Sequence, residues 1–445
     1  MGFCVFLVYD LLITIAQVLH RLNDSKNCDV HSTICKVDQY ISMLSDLSKM
    51  KKRQFYLHDK TKYLCSLHYE RQDLKMFAKS PLERYETVHI ARFLPQVKLA
   101  QKGNTIARKL SIEGDNGKIY QYSLTFNQES GENRKIDRIS NLQQVMNCLF
   151  PKIKNMAKKR LKFKIREAIF LNPHTCLMYE GDSAVSLFDI FEEHCSNKGI
   201  KSSAPLHKYY KSIQGLHEAG VINSEVLKRI FTSIQSELVP QNLLKDWVHH
   251  AHPCAADYWK FRTQFTHHAA LLGMIEHVIG LSPQTPDFMY IQRSSGEMNF
   301  LNFRFSLIHE DAGTETERKV PFRLTSNICK FITPYGVWGT FGGTLLNAVE
   351  CLRIQWWKIE SVIKVLLMDE LLSLNQKKAS KSEIACNKPE FFISTIERSV
   401  CETYERIEPL SGSEKEHHVQ LWKLISSAES CDNLSALDPF SYPWL

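Results

Sequence analysis

The chain has 445 residues, a formal net charge of +8 and 23% charged residues. That length allows two or three domains with a large buried core, and a positive balance this diffuse does not identify a nucleic-acid-binding protein. The thirteen cysteines include no C-x-x-C pair, so neither a zinc site nor a disulfide framework is indicated. Unpaired thiols favour a reducing compartment, the cytosol or the nucleus.

The N-terminal region is predicted to be helical. Residues 1–19 are apolar over a length that could enter a membrane, but no positively charged segment precedes them and Asp10 lies inside. We interpret them as a buried helix, with a signal peptide or anchor as the alternative. From about Cys35 to Phe77 apolar residues recur at helical spacing, and Ser80-Pro81 ends the region.

A β-rich segment follows. VKLA, ARKLSIEG and KIYQYSLTF alternate apolar and polar residues, and Asp115-Asn116-Gly117 predicts a hairpin turn between the last two. ISNLQQVMNCLF is typical of a helix, and LKFKIREAIFL of one more strand. These elements predict a small sheet with one helix.

From about Ser186 the pattern is helical. Asn223-Ser224 caps an apolar-faced run that Pro240 ends, and DYWKFRTQFTHHAALLGMIEHVIG forms another long helix. LLNAVECLRIQWWKIESVIKVLLMDELLSL is a third, with an interruption near Gln355. Lys377–Pro389 is predicted to be a polar linker, and the tail from residue 411 contains a helix and ends in DPFSYPWL.

Two motifs suggest ligand sites, and both are better explained by packing. The first contains the histidine groups His249, His250, His252 beside Cys254, and His267-His268. Neighbours on a helix point about 100° apart and rarely bind one metal together, so solvated or core histidines are expected. The second, GVWGTFGGT at 336–344, imitates a phosphate loop but lacks its lysine, and Trp338 and Phe341 crowd it.

The charged runs leave alternatives open. Pro151–Glu167 is the most basic segment and could bind phosphates together with Lys102, Arg108 and Lys109; a solvated helix face and edge strand is the simpler interpretation. KMKKRQ at 49–54 could serve as a nuclear address. The pair Asp369-Glu370 falls on a predicted solvent face.

Three stretches resemble the phosphatidylinositol 3-kinase-related kinases. DNGKIYQYSLTF is similar to their N-lobe hairpin, VPFRLTSNI to the segment after the activation loop, and DNLSALDPFSYPWL to the terminal FATC segment. The resemblance implies an α+β, bilobal phosphatidylinositol kinase-like fold with a small β-rich N-lobe and a large helical C-lobe. Its expected parts are the helical end of a FAT region at 1–82, the N-lobe at 83–182, the C-lobe at 183–410 and the FATC segment at 411–445.

At the positions where the family has its catalytic residues, this sequence has side chains without the required functional groups. The strand that should end in the phosphate-binding lysine has Thr125. Where Gly-Asp-Arg-His-x-x-Asn should follow Gly-Leu, the chain has GLSPQTPDF, and Asp-Phe-Gly is replaced by Asn-Phe-Arg. The degenerate positions are Thr125, Pro283, Gln284, Thr285, Phe288, Asn302 and Arg304. The resemblance therefore implies a pseudokinase with no catalytic residue, cofactor or metal.

Apolar positions around this site are retained, which indicates that the fold is kept for its surface. They are Ile279, Leu281, Met289, Ile291, Phe300, Leu301 and Phe303. The tail is expected to pack on the C-lobe through Trp422, Leu434, Leu437, Phe440, Tyr442 and Trp444.

HIARFLPQVKLAQKGNTIARKL, LVPQNLLKDWVHHAHPCAADYWKFRTQFT and the closing PWL resemble one branch of the family in particular, over roughly 37–445. That branch implies a nuclear scaffold on chromatin in histone acetyltransferase coactivator complexes, whose partners are complex subunits and transcription activators, with no small-molecule substrate and no membrane. Two alternatives remain: an active atypical serine/threonine or phosphatidylinositol kinase, and a polyanion or nucleic-acid binding module.

Overall fold

The structure is a computed structural model that describes residues 54–61, 88–102, 105–126, 130–165, 168–172, 174–179, 184–217, 223–281, 284–300, 319–332, 336–380, 389–411 and 414–445. The chain divides into two units, residues 1–56 and 57–445. The predicted helix at 1–19 lies outside the described residues, as does most of the helical region at 35–77. Within that region the helix prediction is wrong at Gln54–Tyr56, which is strand β1, since Phe55 and Tyr56 favour extended backbone.

A sheet begins the second unit. Its strands are β2 (Ile90–Phe93), β3 (Gln96–Lys102), β4 (Thr105–Gly114), β5 (Ile119–Phe126), β6 (Ala168–Asn172) and β7 (Thr175–Tyr179). Neighbours run antiparallel in the order β3-β4-β5-β7-β6, and β2 also pairs with β4. The three predicted strands at 97–126 are therefore confirmed.

The predicted β4–β5 hairpin is also confirmed. The Gly114 N–H donates to the Lys118 carbonyl at 2.9 Å, and Gly117 has a φ of +71°, which a residue without Cβ adopts without strain. The strand predicted from Leu161 instead begins at Ala168. The side chain of Asn147 accepts from the Phe163 N–H at 2.6 Å and donates to its carbonyl at 3.0 Å, so this backbone has no need of a strand partner.

The remaining elements are mostly helical. They are α1 (Ser130–Leu149), α2 (Lys154–Lys158), α3 (Leu187–Asn197), α4 (Ala204–His217), α5 (Ser224–Glu237), α6 (Leu243–Ala251), α7 (Ala255–Ile279), α8 (Ser326–Ile332), α9 (Thr340–Ile354), α10 (Trp356–Ser380), α11 (Pro389–Ile407), α12 (Glu414–Glu429) and α13 (Cys431–Ser435), with a small sheet β8 (Ala184–Ser186), β9 (Met289–Gln292) and β10 (Met298–Phe300). Within the described residues, no helix has both the length and the apolar composition needed to cross a membrane.

Local signals place two of the helix ends. Asn223 caps α5 by accepting from the Val226 N–H at 3.0 Å, and the predicted interruption falls at Gln355, between α9 and α10. The linker prediction is wrong at Lys377–Ser380, because α10 continues through these residues; lysine is a good helix former, so a polar composition does not by itself end a helix.

Helix α7 is the centre of the core. Its second half is buried on nearly all sides, and the β9–β10 hairpin packs against it. Gly296 in that hairpin has a φ of +76°, and a Cβ there would lie 2.5 Å from the carbonyl oxygen of Phe261. The predicted apolar positions Ile279, Leu281, Met289, Ile291 and Phe300 are all buried, whereas 301 and 303 lie outside the described residues.

Two ion pairs connect α1 to α10. Lys135 Nζ lies 3.1 Å from a Glu370 carboxylate oxygen, and Arg138 Nε lies 2.8 Å from one of Asp369. The two acids are largely buried, so the prediction that they lie on a solvent face is wrong. Helical periodicity alone could not identify a neighbouring helix whose lysine and arginine face them.

Candidate functional site

The position of the expected phosphate-binding lysine lies on β5. Thr125 pairs with Cys176 of β7 and donates from its hydroxyl to the Cys176 carbonyl at 3.3 Å. The side chain is half-buried and uncharged. It therefore offers no positive charge to a phosphate group.

The loop after α7 is the position of the expected catalytic loop. Gly280 ends the helix in the left-handed conformation, with φ of +72°, and Pro286–Phe288 forms a single 3-10 turn. Gln284 is 3% exposed, and its Oε1 has no hydrogen-bond partner in the described part of the chain. The Thr285 hydroxyl is likewise unpaired within the described residues. Residues 283, 302 and 304 lie outside the described residues.

A buried carboxylate holds this loop to the segment that contains Arg323. Glu276 is 1% exposed and accepts from the backbone N–H of Gln284 at 3.1 Å and from that of Arg323 at 2.9 Å. Burial raises the pKa of Glu276 to about 8, although the two N–H donors and the Arg323 charge act in the opposite direction. The carboxylate therefore fixes backbone and is not open to a ligand.

Arg323 joins three parts of the chain. Its guanidinium donates to the carbonyl oxygens of Gln284 at 2.9 Å, Ser441 at 3.0 Å and Tyr442 at 2.5 Å. Burial lowers its pKa to about 10, so the group stays charged at neutral pH. Sequence reasoning missed this residue, because Phe322 and Leu324 on either side are also buried and no alternation sets the arginine apart.

The tail packs beside this network. Trp444 is 1% exposed between the rings of Tyr209 (centroids 6.1 Å apart) and Tyr442 (5.8 Å), and the Thr325 hydroxyl donates to the Leu445 carbonyl at 2.7 Å. Leu434, Leu437, Tyr442 and Trp444 are buried as predicted.

The packing prediction is wrong for Trp422 and Phe440, which are 57% and 62% exposed. On α12 the buried face belongs to Leu421 and Ile425, and the next residue along a helix points about 100° away. Phe440 lies at the edge of the tail, 5.9 Å from the ring of Tyr210.

The histidine groups have ordinary partners. A ring nitrogen of His250 lies 2.7 Å from the Asp246 carbonyl, and one of His252 lies 2.8 Å from the Arg293 carbonyl. His249 packs its edge against Tyr258, and Cys254 is exposed before α7. Across the described ranges, no three histidine, cysteine or acidic side chains converge in a way that could hold a metal ion.

Acid is expected to destabilise the protein through His267 and His268. Both are buried on α7, and burial lowers the pKa of each from 6.5 to about 4. Because the pKa of each histidine is lower in the folded state, this contribution to stability is fully present above pH 6.5. It is lost as the pH falls toward 4. At about 1.4 kcal/mol per pKa unit, the loss is up to about 3 kcal/mol for each histidine. Chemical denaturation across this pH range measures it.

The double variant His267→Gln, His268→Gln should remove this part of the pH dependence. The matched surface variant His249→Gln, His250→Gln should keep it. Equal acid sensitivity of both variants would contradict the assignment to the buried pair.

The glycine-rich stretch is a packing turn. Gly336–Trp338 is a 3-10 turn leading into α9, and the described element before it is the helix α8 instead of a strand. A Cβ at Gly342 would lie 3.0 Å from the Val337 carbonyl oxygen and 3.2 Å from Leu421. This supports the packing interpretation over a phosphate loop.

The basic run is divided by the fold. Lys164 pairs with Glu297 at 3.2 Å, whereas the lysines at 152, 154, 158 and 159 are exposed around α2. Arg108 and Lys109 lie on β4, and Lys109 is opposite Lys98 of β3. The described basic residues therefore belong to separate elements, around α2, before β6 and on β4.

A family model supplies the decisive comparison. The model of phosphatidylinositol 3- and 4-kinases matches residues 125–376, more than half of the chain. The chain belongs to this family. The sheet-rich N-lobe and helical C-lobe are those expected of a kinase of this family, so the predicted α+β bilobal fold is confirmed.

Individual relatives agree with the predicted branch. The chain is 31% identical over 430 residues to the Transformation/transcription domain-associated protein of Mus musculus, covering 94% of this chain and 17% of that protein. It is 24% identical over 335 residues to the "SAGA complex/NuA4 acetyltransferase complex subunit TRA1" of Saccharomyces cerevisiae, covering 70% of this chain and 9% of that protein. The chain thus spans less than a fifth of the length of these relatives.

A solved structure resembles the fold. The structure titled "Structure of the open conformation of CtTel1" superposes with a TM-score of 0.64 at 15% identity, covering 89% of this chain and 14% of that one. At this identity the similarity concerns the fold alone.

Proposed function

We propose that this chain is a catalytically inactive, kinase-like scaffold of histone acetyltransferase coactivator complexes, which acts in the nucleus and docks transcription activators. The similarity over 94% of the chain to the transformation/transcription domain-associated protein supports this role. So does the similarity to a yeast protein named as a subunit of two acetyltransferase complexes. The chain corresponds to a small part of these relatives, so the proposal concerns the kinase-like part of such a scaffold.

The observation that carries the proposal is the bonding of the loop after α7. Phosphoryl transfer needs divalent metal ligands, a positive charge on the phosphates and a residue that orients the nucleophile. Here the loop's backbone is tied to Glu276 and Arg323, and Gln284, Thr285 and Phe288 carry no charge.

One carboxylate remains in the described part of this loop. Burial lowers the pKa of Arg323 and raises that of Tyr442, and the negative charge of nearby Asp287 favours the protonated form of both groups. It faces the tail network, and a single carboxylate does not replace two metal ligands and a base. Loss of a general base alone costs about 10² to 10⁴-fold in rate. The residues at the other degenerate positions, Pro283, Asn302 and Arg304, would remove the remaining catalytic groups.

Mg-ATP is expected to leave the melting temperature of the protein unchanged. A nucleotide present at about 100 times its Kd would stabilise the folded state by about 2.7 kcal/mol, which thermal denaturation detects readily. The control is the same titration with EDTA in place of magnesium. A magnesium-dependent rise in melting temperature would support the rival function, an active atypical serine/threonine or phosphatidylinositol kinase. The argument for that function is the description of the matching family, phosphatidylinositol 3- and 4-kinases.

The scaffold role has its own readout in the same preparation. Tagged full chain, incubated with nuclear extract and recovered, should bring down acetyltransferase subunits and histone acetyltransferase activity. The variant Arg323→Glu is the control. Because it should disrupt the fold, it shows how much of the capture depends on the folded chain. Recovery of the folded chain without that activity would contradict the scaffold proposal, whatever the nucleotide result.

A further inference from the structure

Two exposed aromatic rings lie together where the tail meets α4. The rings of Tyr210 and Phe440 have centroids 5.9 Å apart and planes inclined at 48°. Tyr210 is 45% exposed and Phe440 is 62% exposed. We call these two side chains the aromatic pair. Because both rings remain in contact with water, a third group can approach them together from the solvent.

The backbone on both sides of the aromatic pair is held in place. The N–H of Phe440 donates to the Asp438 carboxylate at 3.0 Å, within a single 3-10 turn. Arg323 donates to the carbonyl of Ser441, the next residue along the tail. On α4, the buried ring of Tyr209 packs edge-on against its exposed neighbour. A ligand would therefore lose little affinity to ordering of the two rings.

The surface around the aromatic pair is negative. The face of an aromatic ring carries partial negative charge, and Asp438 is exposed beside the rings. Burial and the negative charge of Asp438 raise the pKa of the Tyr210 phenol, so this ring stays neutral. Within the described ranges, no cation pairs with Asp438 and none lies over either ring of the pair. This surface therefore lacks a positive partner.

We propose that the aromatic pair binds a methylated lysine side chain of a partner polypeptide, with Asp438 as the counter-charge. A cation attracted by a ring lies within about 6 Å of the ring centroid. Because the two centroids are 5.9 Å apart, one cation can be this close to both. The choice of a ligand on a polypeptide over a free one rests on the proposed scaffold function.

Methylation distinguishes this ligand from unmodified lysine and from arginine. An unmodified ammonium is strongly hydrated, and contact with half-exposed rings does not offset the loss of that water. A guanidinium favours a bidentate contact with both oxygens of a carboxylate, but one oxygen of Asp438 already accepts from the Phe440 N–H. Methyl groups on the ammonium make apolar contact with the ring faces and keep the positive charge.

The test is fluorescence polarisation with the full chain and four labelled peptides of one sequence. The peptides differ at one position, which carries trimethyl-lysine, unmodified lysine, arginine or the uncharged carbon analogue of trimethyl-lysine. The trimethyl-lysine peptide should bind saturably and at least about fivefold more tightly than the others, because only its side chain combines charge with methyl groups. Choline should displace it only at concentrations above those of the unlabelled peptide.

Three variants locate the site. Phe440→Leu keeps an apolar side chain but removes the ring, and it should weaken binding at least about fivefold. Asp438→Asn removes the counter-charge, while its amide oxygen can still accept from the Phe440 N–H, and it should weaken binding by a smaller factor. Trp422→Leu is the control: it removes a ring that is 57% exposed on α12 and should leave the affinity unchanged. Thermal denaturation checks that each variant is folded.

Each contrary result would overturn the proposal. Equal or tighter binding of the lysine or arginine peptide would show general attraction of positive charge, and equal binding of the carbon analogue would show apolar contact alone. Equal losses in Phe440→Leu and Trp422→Leu, or no saturable binding, would exclude the aromatic pair as the site. Displacement by choline at lower concentrations would indicate a free ligand. None of these results depends on capture of acetyltransferase subunits, so the aromatic pair and the scaffold role can fail separately.

Discussion

Replacing Arg323 with Ala is expected to lower the free energy of unfolding by about 3 to 5 kcal/mol, because three carbonyl groups lose a charged donor at about 1 to 3 kcal/mol each. The change leaves the carbonyls of Gln284, Ser441 and Tyr442 without this donor. Tyr442 also has a φ of +48°, a conformation that a bulky residue keeps only when its surroundings hold it. Urea denaturation of the purified chain measures the loss.

Two comparisons make the Arg323 result specific. Arg229→Ala removes an exposed arginine of α5 and should change stability by less than about 0.5 kcal/mol. Arg323→Lys keeps a positive charge without the planar fork of donors, so it should lose less stability than Arg323→Ala but not match the original chain. A loss below about 1 kcal/mol for Arg323→Ala would show that the network contributes little.

Replacing Trp444 with Ala should cost about 3 to 5 kcal/mol, as large-to-small changes of buried aromatic residues do. The indole is 1% exposed and contacts the rings of Tyr209 and Tyr442, so its removal leaves a cavity between α4 and the tail. Phe440→Ala is the matched control: its ring is 62% exposed, and the change should stay near 0.5 kcal/mol.

Removal of residues 432–445 should lower the melting temperature at least as much as Trp444→Ala. Thermal denaturation of the truncated chain tests this directly. An unchanged melt, or equal effects of Trp444→Ala and Phe440→Ala, would mean that the tail does not stabilise the C-lobe.

Local patterns in the sequence predicted much of the fold. The alternation in KIYQYSLTF, the hairpin turn at Asp115-Asn116-Gly117, the cap at Asn223 and the interruption at Gln355 each depend on residues within a few positions of one another. These are interactions that a short stretch determines by itself, so they were available without the structure.

The errors concern partners far away in the sequence. Asp369 and Glu370 were placed in solvent because nothing near them reveals the cations of α1. The strand predicted from Leu161 was wrong because Asn147 bonds the backbone of Phe163. Trp422 was assigned to the core by its apolar character, although Leu421 occupies the buried face of the same helix.

The candidate site shows the same difference between residues that the sequence predicts and residues whose role depends on distant contacts. The identities of Thr125, Gln284, Thr285 and Phe288 could be stated from the family's motif, because a motif fixes positions along the chain. The role of Arg323 could not be stated, since it depends on carbonyl groups about 40 and 120 residues distant. Whether the motif's loss abolishes activity stays a prediction that nucleotide binding will test.

The ion pairs between α1 and α10 resist separation of these two helices. Lys135–Glu370 and Arg138–Asp369 lie one helical turn apart on α1, so any widening between these helices separates both pairs at once. The acids of both pairs are partly shielded from water, so salt should screen these pairs less than exposed ones, and the spacing of the two helices should change little with ionic strength.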